Sequence, residues 1–280
     1  MLTHKFMTTK TENTFSKQLD SHHALAGIAV TEVSVLILQE FHRRSESSPE
    51  ARIIANVIAR AIRTTSSIVV LCDNHDVQSA WVLHRTLAER LFHLAHLSAT
   101  KSYAEFENWS FFEQAKRQVK SVNDPLFRDR TTGAEYQITE EQRARFTEML
   151  KQPPKWRRAK AEDISKQLGY KFIYDYAYDY ASMLIHPMAN DGEMDLLMST
   201  RADDYSQAKK LVISNSLLVQ SLILQEAMNS PTLNWAAIAY EMIAAVLRYI
   251  NDASIDYQIP LRKSKLLQDN DTLSGFSAKT

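Results

Sequence analysis

Glycine is nearly missing from this chain, and that limits its fold more than any other feature. Five Gly in 280 residues is roughly a quarter of the ~7% usual in globular proteins. Gly-rich phosphate loops and tight β-hairpins need positions with φ > 0, which glycine occupies at no steric cost. No GxGxxG, GxxxxGK[ST] or GxSxG occurs in the sequence. Dinucleotide-binding, P-loop and α/β-hydrolase architectures are therefore excluded. What remains is an all-α chain, a multi-helix bundle of about seven to nine helices by periodicity and stop signals. Any chemistry must come from side chains that project from helices.

Charge excludes a further class. Lys plus Arg number 33 and Asp plus Glu number 33, so the chain is not a globally basic nucleic-acid binder, although a local patch stays open. The single cysteine, Cys72, follows Ile68, Val69, Val70 and Leu71. It reads as a small buried hydrophobe, and one thiol forms no internal disulfide. Residues 1–20 are polar and without an apolar core segment, which argues against a signal peptide. The longest apolar run, Ala24 to Leu38, is interrupted by Glu32 and falls short of the ~18 apolar residues expected of a span. These features lead to the expectation of a cytoplasmic protein with no membrane partner.

Along the chain, residues 1–20 read as a flexible arm, 21–252 as a single helical domain and 253–280 as a tail. Helices are expected from about Ser21 to Arg44, Pro49 to Cys72, Asp76 to Ser98 and Tyr103 to Val122. Further helices are expected from about Glu140 to Lys151, Ala161 to Leu168, Tyr170 to His186, Asp203 to Met228 and Asn234 to Ile250. Ser48 with Pro49 is a helix-start signal, as is Thr139 three residues before Gln142. Gly169 fits the residue after a helix C-terminus.

Two helices carry polar stripes. On the third, Ala80, Leu83, Leu87, Leu91 and Leu94 share one face. Gln78, Trp81, Arg85, Glu89, Phe92 and His96 lie opposite, with His93 beside them. Aromatic residues interleaved with charge suggest burial on both sides. Arg85 and Glu89, at i,i+4, then pair with each other or form an ordinary surface ion pair. On the Tyr170–His186 helix, Asp175, Tyr178, Asp179, Ser182 and His186 cluster. His186 ends that helix before Pro187, where the helix dipole favours imidazolium. If the two stripes face each other, Arg85 could clamp a phosphate. His186 and Glu89 could then move protons, and Tyr178 and Ser182 could donate hydrogen bonds. A capping or core histidine is the competing reading of His186. Glu89, His93 and His96 offer metal-ligand types, but without the paired Glu-x-x-His motifs of di-iron bundles. No cofactor is expected.

Residues 151–160 hold Lys151, Lys155, Arg157, Arg158 and Lys160 with no carboxylate, and Trp156 sits among them. Lys155, Trp156, Arg157 and Arg158 could track a phosphate backbone and stack a base. Alternatively the loop is solvated and its Trp turns back into the core.

Arg85-xxx-Glu89 on one long helix, Trp156 in a loop and Tyr178-xxx-Ser182-xxx-His186 together resemble a bacterial all-helical family of unknown function. That family is distantly similar to the HEPN superfamily. The resemblance implies a HEPN-like helical core. It also implies a metal-independent endoribonuclease-type effector in stress or phage defence, with RNA as partner. Arg90-Leu-Phe-His-Leu-Ala-His96 fits the superfamily's Arg-x4–6-His pattern, but Arg90 points toward the Leu87/Leu94 side. The alternative is a non-catalytic interaction protein whose Arg85–Glu89–His186 network is a buried polar core. A homodimer is the base-rate expectation for oligomeric state.

Overall fold

The computed structural model describes residues 21–123, 138–185, 192–193, 202–229 and 236–252. The expected arm at 1–20 and tail at 253–280 lie outside these. Among the described residues every regular element is helical and no strand occurs, as the glycine scarcity implies.

The helices are α1 (Ser21–Arg43), α2 (Pro49–Asp73), α3 (Val77–Thr100), α4 (Tyr103–Asn123), α5 (Glu140–Lys151) and α6 (Ala161–Gln167). A broken run follows: α7 (Lys171–Ile173), a π-helical turn (Tyr174–Asp179) and α8 (Tyr180–Met183). Then come α9 (Ala202–Met228) and α10 (Ala236–Asn251). Local chemistry sets the starts. Ser48 accepts from the Ala51 N–H, with Pro49 in the first turn. Asp76 accepts from the Ser79 N–H at 2.9 Å and opens α3. Thr139 and Gln142 close a full capping box on α5. With glycine scarce, the sharp corners on either side of α3 use left-handed residues with side chains, His75 (φ 64) and Lys101 (φ 54). Each costs roughly 1 kcal/mol relative to glycine. Gly169 (φ +75) takes the left-handed position after α6.

The chain divides into two compact units: residues 1–99 with 160–280, and residues 100–159. In the first, α9 packs on α1, α2 and α10, and α1 packs on α2 and α10. Their shared interior holds Ile37, Phe41, Ile54, Ile58, Ile68, Ile213 and Ile223, all shut off from solvent. It also holds polar joints. Gln220 donates to Ser34 Oγ at 2.8 Å, and Lys209 pairs with Asp73 at 2.8 Å. The second unit is α4 packed on α5, with Phe112, Ala115 and Phe146 buried and Phe111, Val119, Ile138 and Met149 around them.

One expectation fails here. The helical stretches Leu25–Arg43, Pro49–Asp73 and Gln207–Met228, of 19, 25 and 22 residues, each hold an 18-residue window whose mean hydropathy is 1.3, 1.4 and 1.3 respectively. By length and composition all three can cross a membrane. The expectations of no membrane partner and of a cytoplasmic location therefore do not stand. The error came from demanding an unbroken apolar run. A long helix dilutes one or two charges, and Glu32 does not stop α1. RNA and a second copy likewise gain no support as partners.

A second difference concerns the expected Tyr170–His186 helix. It is not one regular helix but α7, the π turn and α8, ending in a turn at Leu184–Ile185. A π turn adds a residue per turn and re-aims the side chains that follow. Tyr174 and Tyr178, which both pack against Phe92, lie within this turn.

Candidate functional site

Helix α3 is buried along two sides, and the candidate site lies on the mixed one. Ala80, Leu87, Leu91 and Leu94 are fully buried on the aliphatic side. On the other, Trp81 and Phe92 are buried as well, with Arg85 and Glu89 half-buried between them. A half-buried guanidinium must find partners, because desolvating an unpaired charge is costly.

Arg85 finds them on the broken run. Its Nε donates to Ser182 Oγ at 2.9 Å and its Nη2 donates to Tyr178 Oη at 2.7 Å. The guanidinium carbon stands 4.2 Å from the Tyr178 ring centroid, within cation–π range. Ser182 Oγ donates in turn to the Tyr178 carbonyl at 2.7 Å. That proton is committed, so Ser182 orients Arg85 and is a poor nucleophile as it stands. Phe92 forms the floor, with Tyr170, Tyr174 and Tyr178 at 6.4, 6.3 and 6.1 Å between ring centroids. Tyr174 and Tyr178 stack at 5.3 Å. Ala177 and Ala181 are small enough to bring the run close, and both are buried.

Arg85, Tyr178 and Ser182 are thus brought together from two stripes 93 to 97 residues apart. Glu89, one turn along α3, has its carboxylate 3.8 Å from His93 Nε2. His186 lies outside the described residues. Arg90 does not join the cluster. It donates back to the Thr86 carbonyl and hydroxyl of its own helix. Burial, with Arg60 adding repulsion, lowers its pKa. The His96 pKa is lowered by burial and then by His93.

Two features escaped the sequence reading. His84, beside Arg85 in sequence, is fully buried on the aliphatic side. Its Nδ1 lies 3.0 Å from Ser216 Oγ of α9, and Trp81 packs edge-on against its ring. Its Nε2 is buried with no hydrogen-bond partner among the described residues. Burial drops its pKa from 6.5 to about 4. The spacing could have found it: His84 is i+4 from Ala80, i−3 from Leu87 and i−7 from Leu91, on the apolar face. The second is Tyr170, whose hydroxyl donates to Glu226 of α9. Burial, then that hydrogen bond, raises the Tyr170 pKa. A tyrosine at a helix start gave no such signal.

In the second unit Lys155, Arg157 and Arg158 are exposed. Trp156 turns inward: its Nε1 donates to Ser102 Oγ at 3.2 Å, and it packs against Phe106 and Trp109 at 5.1 and 4.9 Å. Arg157 donates to the Pro154 and Trp156 carbonyls at 2.8 Å, fixing the loop. Arg158 stands 5.6 Å from the Trp109 ring centroid.

No curated protein and no solved structure matches this chain. A family model does match, over residues 51–205, which take in Arg85, Trp156, Tyr178 and Ser182 alike. Covering more than half of the chain, that match establishes that the protein belongs to DUF5677, a family of unknown function.

Proposed function

We propose that the Arg85–Tyr178–Ser182 cluster binds an anionic oxygen group of the phosphate class, and that the chain acts through this site. One observation carries the reading. The half-buried Arg85 guanidinium is held by two hydroxyls and a ring, and among the described residues no carboxylate neutralises it. Arginine has five N–H donors in a fixed fork. Two are committed here, which leaves three for a ligand oxygen and a positive charge to match. The hydroxyls pre-set the fork, so little rotamer freedom is lost on binding.

Metal-independent phosphodiester cleavage, implied by the resemblance to HEPN ribonucleases, suits such a clamp. The guanidinium would offset the charge that builds on the phosphorus oxygens. Glu89 and His186 are the acid–base candidates in that scheme. Titrating the purified chain with inorganic phosphate, and incubating it with a labelled single-stranded oligonucleotide in chelator, tests both levels. Binding should weaken roughly tenfold in Arg85→Lys, because the bidentate fork is lost. Cleavage should disappear in Arg85→Ala and in His186→Ala. Equal phosphate affinity in wild type and Arg85→Lys defeats the binding reading. Intact oligonucleotide with normal phosphate binding defeats only the catalytic one.

A non-catalytic interaction protein is the second reading, favoured by Ser182 donating to the Tyr178 carbonyl while accepting from Arg85. That arrangement ties α3 to the broken run as a structural joint. Under this reading Arg85→Ala loses stability, and no phosphate-dependent signal exists to lose.

A further inference from the structure

The second unit contains a cleft that the Arg85 cluster does not use. It measures about 380 Å³ and lies between α4 and α5 beside the Trp156 loop. That volume is within the usual range for small-molecule sites. Its lining includes Glu105 and Asn108 of α4, Arg145 and Met149 of α5, and Lys155 and Trp156 of the loop. Arg145 and Met149 are i,i+4 on α5, so one helical stripe supplies both.

The cationic side of the cleft is pre-set. Arg145 Nη2 donates to Asn108 Oδ1 at 2.9 Å, and its guanidinium lies 4.1 Å from the Phe111 ring centroid. A guanidinium stacked on a ring and held by an amide keeps donors free without a carboxylate to cancel its charge. Lys155 adds a second cation from a segment, 151–160, that carries no acidic residue. Among the described residues Glu105 is the single carboxylate in the lining. The aromatic side is equally fixed. Trp156 is anchored by Ser102 and wedged against Phe106 and Trp109, so its indole forms a wall rather than a mobile flap. A rigid indole beside fixed cations, with the Met149 thioether nearby, matches a flat ring that carries a negative charge.

We propose that this cleft binds a small molecule made of an aromatic ring and one anionic group, either carboxylate or phosphate. The ring lies along Trp156 and Met149, and the anion meets Arg145 and Lys155. The proposal is independent of the Arg85 reading, because no residue is shared.

Isothermal titration of the full-length chain with phenyl phosphate and with benzoate tests it and separates the two anion types. Inorganic phosphate and acetate are the ringless controls, and phenol is the uncharged one; the two phosphate probes are compared in Arg85→Ala, where the site proposed above is removed. Saturable binding of phenyl phosphate or benzoate is expected. Each control should be roughly tenfold weaker, because it lacks either the stacking or the charge. Arg145→Gln should weaken binding by a similar factor and Lys155→Gln by less, while Arg85→Ala should leave benzoate binding unchanged. Arg145 and Lys155 are exposed, so these variants keep the fold, and Trp156→Leu then reports on the wall. The proposal is overturned if neither ringed probe saturates, if inorganic phosphate binds as tightly as phenyl phosphate in Arg85→Ala, or if Arg145→Gln leaves benzoate affinity at its wild-type value.

Discussion

His84 and Arg85 are neighbours in sequence, yet they face different neighbours around α3 and meet opposite physics. His84 is sealed in the interior against α9 and Trp81, held neutral, with one ring nitrogen near Ser216 and the other without a partner among the described residues. Arg85 is half-buried against the π turn and α8, charged, and braced by two hydroxyls. A helix turns 100° per residue, so one step along the chain moves a side chain from a sealed interior to a half-exposed face. The lesson is that titratable character alone does not mark a site. On the α9 side it is a stability liability, and on the α8 side it is a candidate for ligand chemistry.

The largest effect should come from the residue that supports the wet side from beneath. Phe92 is fully buried and touches Tyr170, Tyr174 and Tyr178. Phe92→Ala should cost about 3–5 kcal/mol in denaturant unfolding. It should also loosen the tyrosines, which near-ultraviolet circular dichroism reads directly. Unchanged near-ultraviolet bands at reduced stability would mean that the tyrosine face does not depend on its floor.

The next effect isolates the dry side. The folded state holds the His84 pKa at about 4, against 6.5 for the free side chain. Below pH 6.5 the unfolded chain takes up a proton that the folded chain refuses. Stability due to neutral His84 is therefore complete above pH 6.5, falls as pH drops toward 4, and changes no further below. The gap corresponds to about 3 kcal/mol. His84→Leu should remove that slope from a series of unfolding curves between pH 7 and 4. Ser216 Oγ keeps its bond to the Val212 carbonyl in that variant, so no new orphan is created. A slope of wild-type size in His84→Leu would assign the acid sensitivity to other groups.

What the sequence made legible follows the same division. The all-helical class came from the missing glycines, and the helix starts at Pro49 and Glu140 came from caps whose hydrogen bonds are local. Arg85, Tyr178 and Ser182 were legible because polar residues repeating at helical spacing on otherwise apolar helices stand out. His84 was not, because one polar residue on an aliphatic face is outvoted by its neighbours. The π turn was hidden for a different reason. It coincides with the packing of Tyr174 and Tyr178 onto Phe92, a contact across some 80 residues that no local window contains. Span-like hydropathy was missed because it is an average over some 18 residues that tolerates a charge or two, whereas the run Ala24 to Leu38 was judged by its unbroken apolar length. The inward turn of Trp156 was open between two outcomes, and only its partners Ser102, Phe106 and Trp109 decide it.

The smallest effects test the wet side most sharply. Ser182→Ala removes the acceptor for Arg85 Nε and the donor to the Tyr178 carbonyl, and Tyr178→Phe removes the acceptor for Nη2 while keeping the ring. Each should cost about 1 kcal/mol of stability, because a part-exposed hydrogen bond exchanges for one to water. Their effects should not add. Both hydroxyls act on one guanidinium, and losing either frees the fork to swing, so the second loss has less left to remove. A double-mutant cycle on unfolding free energy and on phosphate affinity separates the two meanings of Arg85. If coupling appears in stability alone, the cluster is a joint between α3 and α8. If it appears in phosphate affinity as well, the hydroxyls are setting the guanidinium for a ligand. Arg85 then separates from His84 not only by environment but by what its environment lets it bind.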